Sequence, residues 1–371
     1  MSIYEELHIK NVINASGRMT KLGVSCISDE VKQAMNEAAQ QYVVMDELYM
    51  AAGKAIAMHI GCEDVCVTAS ASSGIALTIA SLLCGKQLSK VQHFTQTAAQ
   101  SKRREVILLK GHNVDFGAPI DLMIETGGGI VKEVGYANRS SIEDIREAIN
   151  EHTLAILYVK SHHCVQKNMV SVQEAIQVAM EHHIPCIIDA AAEEDLSYYI
   201  QAGADFVCYS GAKAISGPTS GFVACQNGEA AEAMRLQYYG IGRVMKVGKE
   251  AVAGLVKAVE DYTKQQGYMP VVTNQELQDF ATTVQDISGL HTEIIQDEAG
   301  RPIQRCRIYV EAAYGRTAVQ VVKALQRYTT PIYVRDYHAN EGSFDIDPRP
   351  LNGKDDFDII IKALQTKGEP V

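Results

Sequence analysis

The 371-residue sequence predicts an α/β protein: a mainly parallel sheet flanked by helices, followed by a smaller α+β domain. Three observations predict it. Short apolar runs without polar alternation recur between residues 61 and 225, as expected of strands covered on both faces. Helical patterns with readable starts separate them, the rhythm of crossover units on a parallel sheet. After Gly248 the texture changes to a mixture of short strands and amphipathic helices.

Taken in order, the strands of the large domain are expected at 65–69 (VCVTA), 105–109 (EVILL), 154–159 (LAILYV), 186–190 (CIIDA), 206–210 (FVCYS) and 221–225 (GFVAC). Ser140-Ser-Ile-Glu143 and Ser171-Val-Gln-Glu174 match capping boxes, in which serine and glutamate satisfy each other's free amides. KEAVAGLVKAVEDY, from Lys249, is a long helical pattern that would lead out of the large domain. The remainder reads as a helix starting near Thr273-Asn-Gln-Glu276, strands near 292–296 and 303–310, and a helix near 317–326. Strands near 331–335 and 343–346 and a last helix over about 354–365 follow. The expected organisation is an N-terminal segment (1–60), a large domain (61–248), and a linking helix with the small domain (249–371).

Composition narrows the function classes. The net charge is −11, from 34 basic against 45 acidic residues, which argues against a binder of phosphate backbones. Nine cysteines form an odd, scattered set, several inside apolar runs such as IPCII, where cysteine acts as a small core hydrophobe. Cys62 and Cys66 have no matching second pair, so no metal site is expected. The free-thiol pattern, a charged N-terminus without a signal-like apolar run and the lack of a membrane-length segment together point to a cytoplasmic protein with no membrane partner.

In open parallel sheets, ligands bind beyond the carboxyl ends of the strands. After the strand at 65–69 comes SASSGIA, Ser70 to Ala76, whose small residues open a helix and leave backbone amides free for a phosphate; Ser72, Ser73 and Gly74 are the candidates. Asp189 ends an apolar strand, where a carboxylate needs either a partner or a helix to cap. The strand at 206–210 ends in Ser210, and Lys213 follows in YSGAKAISGPTSG, a run with little bulk to bury. Asp189 and Lys213 lie 24 positions apart, room for one helix and one strand, which puts both at one sheet edge. A lysine for an aldehyde and an aspartate for a pyridinium nitrogen is what pyridoxal 5'-phosphate (PLP) requires. A dry, enclosed loop would keep that lysine partly neutral, and Ser210 would close over the phosphate.

This order of motifs looks like that of fold type I PLP enzymes. VINASG (12–17), SGAKAISGPTSG (210–221) and GRVMKVGKE (242–250) resemble selenocysteine synthase, the bacterial seryl-tRNA selenium transferase. KGHNVDFG (110–117), YVKSHH (158–163) and IDAAAEEDL (188–196) are similar to the D-glucosaminate-6-phosphate ammonia-lyase branch of that superfamily. The resemblance implies a fold type I transferase fold with Lys213 as the cofactor-bearing lysine and Asp189 as the partner of the ring nitrogen. His162 matches the histidine after the corresponding strand of the synthase, and His112 lies where a group stacking on the ring or touching substrate would sit; either is a candidate proton donor. Arg243 and Lys246 match anion-binding positions, Arg349 a carboxylate-binding one, and Arg18 lies near a further arginine position of the synthase.

The implied reaction is an α,β-elimination, dehydration and deamination of a phosphorylated amino sugar acid, most closely D-glucosaminate 6-phosphate to 2-keto-3-deoxygluconate 6-phosphate and ammonia. The implied assembly is a homodimer or higher homo-oligomer, with a small phosphorylated molecule and no nucleic acid as partner. The first rival is a selenium transferase acting on seryl-tRNA. The acidic charge weighs against it, as does the start of the core motif at residue 12, where the synthase has a preceding tRNA-binding domain. The second rival is a non-enzymatic regulator or scaffold, disfavoured by the presence of both Lys213 and Asp189.

Overall fold

The computed structural model describes residues 2–161, 163–267, 271–297 and 303–369. Two compact units form: Ile27–Tyr268, and Met1–Cys26 together with Met269–Val371. In chain order the strands begin with β1 (Ile13–Ala15), β2 (Asp64–Thr68), β3 (Glu105–Leu109) and β4 (Ile130–Val134). Next come β5 (Thr153–Val159), β6 (Cys186–Asp189), β7 (Phe206–Ser210) and β8 (Gly221–Cys225). The last four are β9 (Leu290–Gln296), β10 (Gln304–Val310), β11 (Ile332–Val334) and β12 (Ser343–Ile346).

The large unit holds a seven-stranded sheet in the order β2-β8-β7-β6-β5-β3-β4. Pairs β4/β3, β3/β5, β5/β6 and β6/β7 are parallel, and β8 runs antiparallel to both β2 and β7. The apolar runs lack alternation because both faces are covered: on β5, Ile156 and Tyr158 enter one core while Leu157 and Val159 enter the other. β4 was not expected. It is an edge strand, IVKEV, whose polar residues look outward, so it carries no apolar run to read.

Helix starts follow the serine signals with one shift. Ser171 and Glu174 form the anticipated box, whereas the earlier one is closed by Ser141 with Asp144. Ser140 instead accepts the Val170 N–H at 2.9 Å, tying two loops together. The helix Lys249–Lys264 packs on the helices Asp29–Ala39 and Met45–Ile60 and so groups with the large unit; the sequence texture changes at 248, but the packing does not.

The small unit pairs β1 with β11 in parallel and orders β12-β10-β9 as an antiparallel sheet. Helices Asn274–Gln285, Ala318–Leu325 and Lys354–Gln365 supply its core, where Phe280 and Phe357 stack at 4.5 Å. All nine cysteines are free thiols, seven of them buried. No helix among the described residues is long and apolar enough to cross a membrane.

Register fixes where chemistry can gather. β3, β5, β6 and β7 point the same way, so Leu109, Val159, Asp189 and Ser210 end at one edge. Gly221 begins β8 opposite both Ser210 and Thr68, which brings the end of β2 to that edge too.

Candidate active site

Asp189 closes β6 and is 4% exposed. Among the described residues its carboxylate accepts one hydrogen bond, from the Ala191 N–H at 3.1 Å. Burial pushes its pKa up and the positive charge of Lys213 pulls it down, so the two groups sense each other. A buried carboxylate with so few donors suits a protonated ring nitrogen, which would supply both a charge and a hydrogen bond.

Lys213 sits on the loop between β7 and β8, with its Nζ 5.6 Å from the centre of the Phe116 ring. The loop has more to bury than its small residues suggest. Ala212, Ala214 and Ile215 are buried, and the loop closes on itself through Gly211 N–H to Ser220 O at 2.9 Å and Gly217 N–H to Gly211 O at 2.7 Å. Its glycines serve protein packing. A Cβ on Gly211 would meet Ser220 Oγ at 2.3 Å and Leu255 Cδ1 at 2.7 Å; one on Gly217 would meet Ala258 Cβ at 3.0 Å. The helix Lys249–Lys264 thus holds the lysine loop by direct contact. Gly211→Ala should lower stability by about 1–3 kcal/mol, the usual cost of overpacking. Urea unfolding checks this, and an unchanged midpoint would deny the packing.

The helix Ala71–Cys84 begins beside that edge. Ser70 caps it, accepting the Ser73 N–H at 3.0 Å while Ser73 Oγ accepts the Ser70 N–H at 2.9 Å. Ser73 is therefore spent on the cap. Gly74 is spent as well: its N–H goes to Ser70 O at 3.0 Å, and a Cβ there would meet Val223 Cγ2 at 2.9 Å. Its smallness lets the helix lie on β8. The amides of Ala71 and Ser72 and the Ser72 hydroxyl have no partner among the described residues, so the anion cradle narrows to them, with Ser210 at the adjoining strand end.

His112 follows β3 in a 3-10 turn and is 2% exposed. Its Nδ1 accepts the Val159 N–H at 3.3 Å, and its ring meets Tyr158 edge-on at 4.6 Å. Burial, then the charge of Lys160, push its pKa down to about 4. At neutral pH it is an uncharged imidazole, suited to covering a flat ring and poorly suited to giving up a proton as an acid. The folded pKa lies below the unfolded value, so this group's stability contribution is full above about 6.5 and is lost as pH falls toward 4. His112→Phe should remove up to about 3 kcal/mol of acid sensitivity across that window, read as melting temperature against pH. His162, the other candidate donor, lies outside the described residues.

Arg243 lies in the 3-10 turn Ile241–Met245, and Lys246 is the extended residue after it, so the two do not share a helix face. Both still line one cavity of about 560 Å³, with Asp46, Tyr49, Tyr239 and Glu250.

In the small unit, VINASG folds as a tight turn: Asn14 Nδ2 donates to Gly17 O at 2.8 Å and Asn14 Oδ1 accepts the Ser16 N–H at 3.0 Å. Gly17, at φ +99°, lies against Asp347 and Arg349, where a Cβ would come within 2.9 Å of Asp347 Oδ2. Arg18 follows, half-buried. Arg349 Nε and Nη2 donate to the two oxygens of Asp347 at 2.9 and 2.7 Å. Arg349 and Arg305 together hold the Asp347 pKa well below the usual carboxylate range, against the opposing effect of burial. Phe116, Tyr158 and Asp347 were not singled out from the sequence. The first two lay within KGHNVDFG and YVKSHH, but nothing in a phenylalanine, a tyrosine or an aspartate alone signals these contacts.

A family model described as L-seryl-tRNA selenium transferase (SelA) matches residues 12–313. The chain belongs to that family. The SelA resemblance read from VINASG and SGAKAISGPTSG is thereby borne out. Within the SelA family the chain is 42% identical to the D-glucosaminate-6-phosphate ammonia lyase of Salmonella typhimurium, covering 99% of this chain and 98% of that protein. A solved structure of D-glucosaminate-6-phosphate ammonia-lyase superposes with a TM-score of 0.91 over 99% of this chain and 98% of that one, at 42% identity. A 5'-C-glycyluridine monooxygenase-decarboxylase of Streptomyces is 36% identical over 98% of this chain and 91% of its own length. An L-seryl-tRNA(Sec) selenium transferase of Mannheimia succiniciproducens is 27% identical over 74% of this chain and 60% of its own. Serine palmitoyltransferase of Sphingomonas wittichii shares the fold, with a TM-score of 0.58 at 14% identity over 96% and 87% of the two chains. The fold is thus that of the fold type I PLP enzymes, as the motif order implied.

Proposed function

We propose that this SelA-family chain is a PLP-dependent ammonia-lyase acting on D-glucosaminate 6-phosphate. The observation that carries the reading is its full-length 42% identity and 0.91 TM-score to proteins of that name. Asp189 would hold the ring nitrogen, Lys213 the aldehyde carbon, Ala71, Ser72 and Ser210 the phosphate, and the neutral His112 ring one face. When bound, PLP supplies a sink for the electron pair left at the substrate's Cα. The protein supplies the rest. The Lys213 amine takes the Cα proton, held in place by a loop with few degrees of freedom. Buried Asp189 stays ionised against a positive partner. The C3 hydroxyl leaves with a proton donated nearby, for which His162 is the candidate; the low His112 pKa argues for a covering role instead. Arg243 and Lys246 are the proposed holders of the distal phosphate, and Arg18 is kept as a substrate-binding candidate.

We further propose a homo-oligomeric cytoplasmic enzyme. Exposed Tyr42, Val43, Val44 and Val244 support an interface, and the free thiols support a reducing compartment.

Assays of ammonia and keto acid with phosphorylated and unphosphorylated 2-amino sugar acids and with serine test the substrate. We expect turnover that depends on the phosphate; turnover of serine alone would remove the assignment. A second reading, oxygenation with decarboxylation of a glycyl nucleoside, is favoured only by the 36% relative. Oxygen uptake and carbon dioxide release with 5'-C-glycyluridine would reverse the ranking.

A further inference from the structure

The segment that leaves β3 presents two rings to the site. His112 is the first, fixed by the Val159 N–H and the edge-on Tyr158 ring. Phe116 is the second, at the tip of the bend that follows.

Hydrogen bonds along that bend hold its tip still. Asn113 Nδ2 donates to Glu133 Oε1 at 2.8 Å, anchoring the segment to β4. The Val114 N–H donates to His112 O at 3.0 Å, and the Ile120 N–H returns to Val114 O at 3.2 Å, closing residues 115–119 into a loop. Inside it the Gly117 N–H donates to Asp115 Oδ1 at 2.8 Å. Gly117 takes φ +118°, which lets the chain reverse directly after Phe116. Val114 and Phe116 pack against the core that contains Leu108, Val159 and Cys208. Phe116 is half-buried, and Lys213 Nζ lies over its ring, 5.6 Å from the centre.

An aromatic ring carries negative charge density on its face and attracts a cation within about 6 Å of its centre. A neutral amine gains little from the same position. The ring therefore distinguishes the two charge states of Lys213. In the proposed reaction the amine changes state as the substrate's C–H bond breaks. The electron pair stays with the carbon and the electron sink beside it, and the proton moves to Nζ.

We propose that Phe116 is a positioning residue for Lys213, its ring face holding the protonated amine that forms when Nζ takes the Cα proton. The inference rests on the reading of Lys213 as the cofactor-bearing base.

Other titratable groups gather at the same edge among the described residues. Asp189, after β6, senses both Lys213 and Glu193. The charge of Lys160, after β5, reaches His112, whose imidazole is neutral at pH 7. The thiols of Cys164 and Cys208 lie near Asp189, and burial keeps both protonated. All of them stay in place when Phe116 alone is changed, so a difference between variants reports the ring.

The holoenzyme supplies the test. The nitrogen that joins Lys213 to PLP titrates, and the visible absorption of the bound cofactor follows it with pH. Phe116→Leu keeps apolar bulk but removes the ring, which disfavours the charged form. It should lower the midpoint by about 0.4–0.7 pH unit and slow ammonia release about 2- to 5-fold. Phe116→Tyr keeps a ring face and should restore the wild-type midpoint. Phe116→Met puts the same question if the leucine variant does not fold. An unchanged midpoint in the leucine or methionine variant, or an equal fall in the tyrosine variant, overturns the assignment. Borohydride label missing from the Lys213 peptide of the wild type would instead remove the reading on which it rests.

Discussion

Lys213→Ala should release ammonia about 10⁴-fold more slowly than the wild type, or not measurably. On the proposed function this lysine would hold the cofactor through its amine and move the Cα proton, a task worth about 10²–10⁴-fold by itself. Phe116, whose ring centre lies 5.6 Å from its Nζ, and the buried loop residues Ala212, Ala214 and Ile215 carry no basic side chain. Borohydride reduction followed by peptide mapping gives an independent reading: label should sit on the peptide carrying Lys213 in the wild type and vanish in the variant. Turnover within tenfold of wild type would remove Lys213 from the mechanism.

Asp189→Asn should separate activity from stability. The burial that raises the Asp189 pKa means the folded chain binds that proton more tightly than the unfolded chain does. The stability this group gives is therefore present at low pH and lost as pH rises through the raised folded value. Above that range, without a cofactor, this buried carboxyl is a burden on the fold. Asparagine keeps the shape and removes the charge, so the cofactor-free variant should melt higher, by about 2–4 °C for each kcal/mol relieved. Activity should fall about 10²–10³-fold, because a neutral amide cannot hold the ring nitrogen protonated. Calorimetry on stripped protein and an ammonia assay on loaded protein give the two readings. A lower melting temperature for the stripped variant would mean the carboxylate stabilises the fold instead.

Much of this was legible in the residues. The strands EVILL, FVCYS and GFVAC fall at 105–109, 206–210 and 221–225 as read, because strands buried on both faces write themselves as unbroken apolar runs. The final helix, 354–365, was equally clear from its amphipathic spacing. The edge strand β4 was not, since an edge with polar residues carries neither signal. At the site, Lys213 and Asp189 stood out as candidates because strand ends are where ligands meet parallel sheets. The cradle was harder. SASSG looks uniformly suited to an anion, and only coordinates show that Ser73 and Gly74 are spent on the cap and on packing while Ala71 and Ser72 remain. The ion pairs of Arg305 with Asp347 and of Arg307 with Asp345 were out of reach for another reason: they depend on β10 meeting β12 and the turn after it, and these segments lie far apart in sequence.

The reversal of β8 has a consequence for how this scaffold acquires new reactions. Because Ser210 and Gly221 are rungs of the same ladder, the peptide bearing the Lys213 amine is pinned at both ends by neighbouring strands. Its loss of freedom is settled once, as the chain folds, and does not recur at each encounter with a reactant. Divergence within such a lineage is then channelled toward the groups that surround the amine, while the span that carries it stays fixed.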